Sequence, residues 1–144
     1  MMELSDIARL ALALILGGAI GFERRWHGHA AGPHTNALVA FGAALFVLIG
    51  HDLSPDATAR IAAQVATGIG FLAGGVILRD GLRVRGLNTA ATIWCVAAIG
   101  SFVGLNYIWL PAGATALVIA ANLLFHVIEH RFGWLASIDE DDTK

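Results

Sequence analysis

The sequence predicts an all-α polytopic membrane bundle of five transmembrane helices. Ile61 to Leu78 is an apolar run of 18 residues broken only by Gln64, Thr67 and four glycines, and as a helix it reaches about 27 Å, close to the hydrocarbon thickness of a bilayer. From Gly86 to Ile128 there are 43 residues without Asp, Glu, Lys or Arg, too many for a single crossing. Composition agrees, with 57% hydrophobic and only 14% charged residues, against about 25% charged in a soluble domain.

The first span is read from Leu4 to Phe22. A cleaved signal peptide competes with this reading, but the leading segment is not basic and Glu23-Arg24-Arg25 comes at once after the span, as a stop signal does. The loop from Glu23 to His34 carries two arginines, three histidines and Trp26, an indole suited to the membrane interface. Asn36 to Gly50 is charge-free but short, so the second helix draws on its flanks, Thr35 and His51. Ser54-Pro55-Asp56 places a cap and a first-turn proline at the start of the third helix, which contains the long apolar run. Gly104-Leu105-Asn106 divides the uncharged stretch of 43 residues, giving a fourth span over about 89–104 and a fifth over about 108–128. The domain is therefore 1–128, with 129–144 a short tail ending in Asp139-Glu140-Asp141-Asp142.

Orientation follows the arginines in short loops. Arg24 and Arg25 lie in the first loop and Arg79, Arg83 and Arg85 in the third, which places both loops in the cytoplasm, the N-terminus outside and the C-terminus inside. The net charge of −2 hides this segregation and says little about partners. Cys95 is the single cysteine, which excludes an intramolecular disulfide and a zinc site of several cysteines.

Four sets of residues carry candidate function. Gly17/Gly21, Gly70/Gly74 with Gly75, and Gly100/Gly104 place small residues on one helix face, either for packing within the chain or as a dimer seam. Gln64 and Thr67, and Asn88, Thr89 and Thr92, are polar groups within or at the start of spans. They either bond between helices, with Asn88 capping the fourth, or line an ion path. Glu23 is either a solvated stop residue or the partner of Arg79 or Arg85, leaving Arg24 and the other arginines for lipid phosphate or a protein partner. His27, His29 and His34, and His126 with His130, have spacings usable by a transition metal or suited to polar filling of the interface, and no carboxylate obviously completes either set. No Asp or Glu lies within an apolar core, which disfavours a magnesium site.

Three long segments in order, GGAIGFERRWHGHAAGPHTNALVAFGAALF, RIAAQVATGIGFLAGGVI and VRGLNTAATIWCVAAIG, resemble the membrane domain of the MgtC/SapB family over roughly Gly17 to Gly104. Asn88 and Cys95 match the MgtC-like form of the fourth-helix motif. His34 stands where the family commonly has Arg, and Ala73 where it commonly has Gly. Many relatives continue into a soluble domain after the fifth span, so this chain is expected to be a short form without that domain's functions.

The resemblance implies a bacterial inner-membrane protein linked to growth in low magnesium and, in pathogens, to survival inside phagocytes. It implies regulation through contacts with other membrane proteins, the ATP synthase among them, rather than magnesium pumping. The expected partners are membrane lipids, other membrane proteins and further copies of the chain; no nucleic acid, no cofactor and no enzymatic activity are expected. The alternative is a transporter or channel for a cation such as Mg2+, or for another small solute, with Gln64, Thr67, Asn88 and Thr92 along the route.

Overall fold

The structure, a computed structural model, describes residues 4–80 and 83–136. Five helices run in order: α1 (Leu4–Trp26), α2 (Pro33–Leu53), α3 (Pro55–Gly75), α4 (Leu87–Gly104) and α5 (Trp109–Ala136). Between α3 and α4 a two-stranded antiparallel ribbon pairs β1 (Leu78–Asp80) with β2 (Arg83–Arg85). This ribbon replaces the plain basic loop expected there. Four helices, all but α3, are long and apolar enough to cross a membrane. The 21 residues of α3 reach about 31 Å, but Arg60, Gln64, Thr67 and the glycines dilute its apolarity.

Local chemistry sets the helix ends. Pro33 occupies the first turn of α2, where its missing N–H costs nothing. Ser54 caps α3 as the sequence predicts, its Oγ accepting from the Ala57 amide at 3.1 Å, with Pro55 in the first turn. The cap of α4 differs from expectation. Its N-cap is Gly86, left-handed at φ 90°, with no side-chain capping bond, so Asn88 sits inside the first turn rather than at the cap. A β-carbon at Gly86 would overlap the Val76 carbonyl oxygen; only glycine suits this position. Past Gly104 the chain turns through left-handed Asn106, and its amide bonds back to the Val103 carbonyl at 3.0 Å. α5 runs on beyond Ile128 to Ala136, longer than the expected span; the acidic residues 139–142 lie outside the described residues.

The core is a wedge. α2 packs against α1, α3 and α4, while α5 packs mainly against α1 and α4. On α2, Asn36, Ala40 and Ala44 recur every four residues on one face, buried between α1 and α4. A β-carbon at Gly17 of α1 would strike the Asn36 carbonyl oxygen and lie 2.8 Å from the Ala40 side chain; at Gly21 it would meet the Gly32 carbonyl oxygen at 2.5 Å. From the other side, Gly100 of α4 lies against the Ala40 carbonyl, and Gly104 would place a β-carbon 2.6 Å from the Ala44 oxygen. Small residues therefore let three backbones approach, the usual basis of helix packing in lipid. Ile20, Val96, Ile99 and Val103 fill the space around the wedge.

Candidate functional site

The helices alternate in direction, so the arginine-rich end gathers the end of α1, the start of α2, the ribbon, the start of α4 and the end of α5. Most of the described buried polar residues lie at that end, with Asp6 and Thr115 buried toward the opposite one. Glu23 is 9% exposed and Arg24 1%, Asn36 is fully buried, and Thr89 and Thr92 are nearly so.

Glu23 is bound by α5, not by the ribbon. Asn122 Nδ2 donates to its Oε2 at 3.0 Å, and His27 Nδ1 lies 3.1 Å from its Oε1 and 2.9 Å from its carbonyl oxygen. Both neighbours of that nitrogen are acceptors, so Nδ1 carries the ring proton. An ion pair with Arg79 or Arg85 is not among the described contacts. Those arginines are exposed on and beside the ribbon, which extends from α3, and α2 and α4 separate α3 from α1.

The two histidine sets meet. The rings of His27 and His126 stand edge to face with centroids 4.7 Å apart, a contact between loop and α5 that sequence spacing does not reveal. Among the described residues, no three His, Cys, Asp or Glu side chains converge as metal ligands. His34 points into a cleft between α2 and α3 instead. His29 is held below its ordinary pKa, first by burial and then by the neighbouring Arg24 guanidinium.

The sequence marks Asn36 only as the start of a span, and the structure gives it a larger part. Its Nδ2 donates to the carbonyls of Ala31 at 2.9 Å and Gly32 at 3.0 Å, which pins the loop onto the start of α2. Its Oδ1 is buried with no hydrogen-bond partner among the described residues. The signal for this role is a lone Asn one turn after Gly32, where the amide reaches back to carbonyls just ahead of the helix.

The remaining candidates are dispersed. Gln64 lines the α2–α3 cleft, whereas Thr67 is exposed and donates to the Ala63 carbonyl at 3.0 Å. Asn88 is exposed; Thr89 and Thr92 are buried, and Thr92 donates to the Asn88 carbonyl at 2.9 Å. Gly17, Gly21, Gly100 and Gly104 face backbone, but a β-carbon at Gly70, Gly74 or Gly75 would meet nothing within 4 Å. The expected tight contact of Gly70 and Gly74 within the chain is not formed. α3 buries only Ile69 and Ala73 and turns these glycines away from the bundle.

Sequence similarity to known proteins gives the family. The MgtC family model matches residues 10–131. Protein MgtC of Salmonella typhimurium is 48% identical over 138 residues, 96% of this chain and 60% of the relative. Protein MgtC of Brucella abortus is 52% identical over 118 residues, 81% and 50% of the two chains. An uncharacterized protein, slr0014, of Synechocystis is 50% identical over 122 residues, 82% and 51%. The chain spans about half to three fifths of the length of these relatives. No solved structure matches. With the family model covering most of its length and relatives this similar, the chain belongs to the MgtC family.

Proposed function

We propose that the chain is a non-enzymatic regulator in the bacterial inner membrane that supports adaptation to low magnesium, and in pathogens survival inside phagocytes, through helix contacts with partner membrane proteins. Its partners include further copies of the chain and, by family resemblance, the ATP synthase. The observation that carries this reading is the uncovered glycine face of α3, where Gly70 and Gly74 meet nothing of their own chain beside the exposed Phe71. Close helix approach is the use such a face has in lipid. Dispersal of the polar residues supports the same reading, because of Gln64, Thr67, Asn88 and Thr92 only Gln64 lines the α2–α3 cleft.

Gly74→Leu separates contact from folding, since the added side chain meets open space within the chain. In a strain lacking its own MgtC-family protein, the wild-type chain should restore growth in low magnesium and Gly74→Leu should not, at unchanged thermal stability in detergent. Full restoration by Gly74→Leu would remove the glycine face from the mechanism.

The orientation belongs to the same proposal, with the ribbon and α5's end in the cytoplasm. Cysteines at Asp56 and Asp80 in a Cys95→Ala background should then differ, an impermeant thiol reagent on intact cells labelling position 56 alone. Labelling at 80 and not at 56 reverses the topology.

A further inference from the structure

We infer that the cleft between α2 and α3 holds one acyl chain of an anionic phospholipid, with the headgroup phosphate on the arginines at its mouth. The cleft has a volume of about 680 Å³ and a mostly apolar lining that includes His34, Leu38, Gly42 and Phe46 of α2 and Gly68 and Leu72 of α3. From His34 to Phe46 the helix advances about 18 Å, and half of a hydrocarbon core is about 15 Å. The cleft is therefore one leaflet deep. It opens sideways, for Leu38, Phe46 and Leu72 are each more than half exposed.

Length suits the occupant, since one acyl chain is one leaflet long, as the cleft is. Glycine forms the furrow, because a β-carbon at Gly42 or Gly68 would meet nothing within 4 Å, so the space is left empty by choice of residue at a cost in helix propensity.

Charge selects the headgroup. Arg25 is exposed, and its Cδ lies 3.7 Å from where a β-carbon of Gly32 would stand, which places it just before His34 at the start of the cleft. Arg79 and Arg85 are exposed on the ribbon that continues from the α3 end of the same cleft. Cations at this depth attract anionic headgroups, and the arginine fork matches phosphate oxygens.

The test is native mass spectrometry of the detergent-purified chain titrated with phosphatidylglycerol and phosphatidylcholine of identical tails. One tightly held lipid is expected on the wild type, phosphatidylglycerol about tenfold or more over phosphatidylcholine, undisplaced by inorganic phosphate. Arg25→Gln with Arg85→Gln should bring the two lipids near parity while keeping the adduct. Gly42→Leu and Gly68→Leu, each made separately and each retaining the wild-type thermal midpoint, should lose the adduct of both lipids. A wild type without headgroup preference overturns the proposal, as does an adduct that survives both glycine variants. So does a wild type that holds no lipid and whose oligomer dissociates in Gly42→Leu, which would give the cleft to a second copy. If both glycine variants fail to fold, the wild-type preference and its loss in the arginine variant decide the matter.

Discussion

Gly100→Leu should leave little folded bundle to purify. At this position the obstacle is the Ala40 carbonyl on the facing helix, and backbone has no rotamer through which to yield. Overpacking a core costs about 1–3 kcal/mol and occasionally more; with Gly17 of α1 pressed on the other side of Ala40, α2 has nowhere to move, and about 3 kcal/mol or more is expected. Even Gly100→Ala should lower the thermal midpoint in detergent clearly. Gly70→Leu is the matched control, the same substitution in a helix whose glycine faces open space, and should leave the midpoint nearly unchanged. Equal midpoints for Gly100→Leu and Gly70→Leu would contradict the wedge of α1, α2 and α4.

The second large effect is expected at Glu23. Its carboxylate accepts from Asn122 on α5 and from His27, so Glu23→Ala strips the acceptor from the partly buried Asn122 amide, leaves His27 only the backbone carbonyl of residue 23, and unties α5 from α1. Leaving a buried polar group unsatisfied costs about 1–3 kcal/mol, and about 2 kcal/mol is expected here. Asn122→Ala should cost less, and the double-mutant cycle of Glu23→Ala with Asn122→Ala should give a coupling of about 1 kcal/mol. Adding Arg79→Glu or Arg85→Glu to Glu23→Arg should recover nothing. Recovery in either double mutant, with no coupling to Asn122, would return Glu23 to the ribbon.

Those two sites mark where sequence reasoning stops. Spans are legible because lipid demands long apolar runs and proline and serine mark helix starts, so Ser54-Pro55 and the break at Gly104 are found without coordinates. Which glycine pair meets backbone is not legible, since Gly17/Gly21, Gly70/Gly74 and Gly100/Gly104 have the same spacing and only neighbour identity separates the two packed pairs from the open one. Glu23 illustrates the same gap. Charge alone nominates the arginines of the third loop, but helix adjacency brings α5, and so an uncharged Asn and a histidine, to the carboxylate. Asn88 looks like a cap by residue type, yet the left-handed turn at Gly86 moves the helix start two residues earlier.

The central claim, that the chain acts by contact and is not a conduit, is tested most directly by flux. The purified chain is placed in liposomes holding a magnesium-sensitive dye, and Mg2+ is added outside under an inward gradient. Scattered polar residues, with the buried carboxylates Asp6 and Glu23 near opposite ends of α1 and Glu23 held by Asn122 and His27, predict a trace indistinguishable from that of protein-free liposomes. Saturable Mg2+ entry that falls in Asn88→Ala or Gln64→Ala would contradict the account and make the chain a transporter.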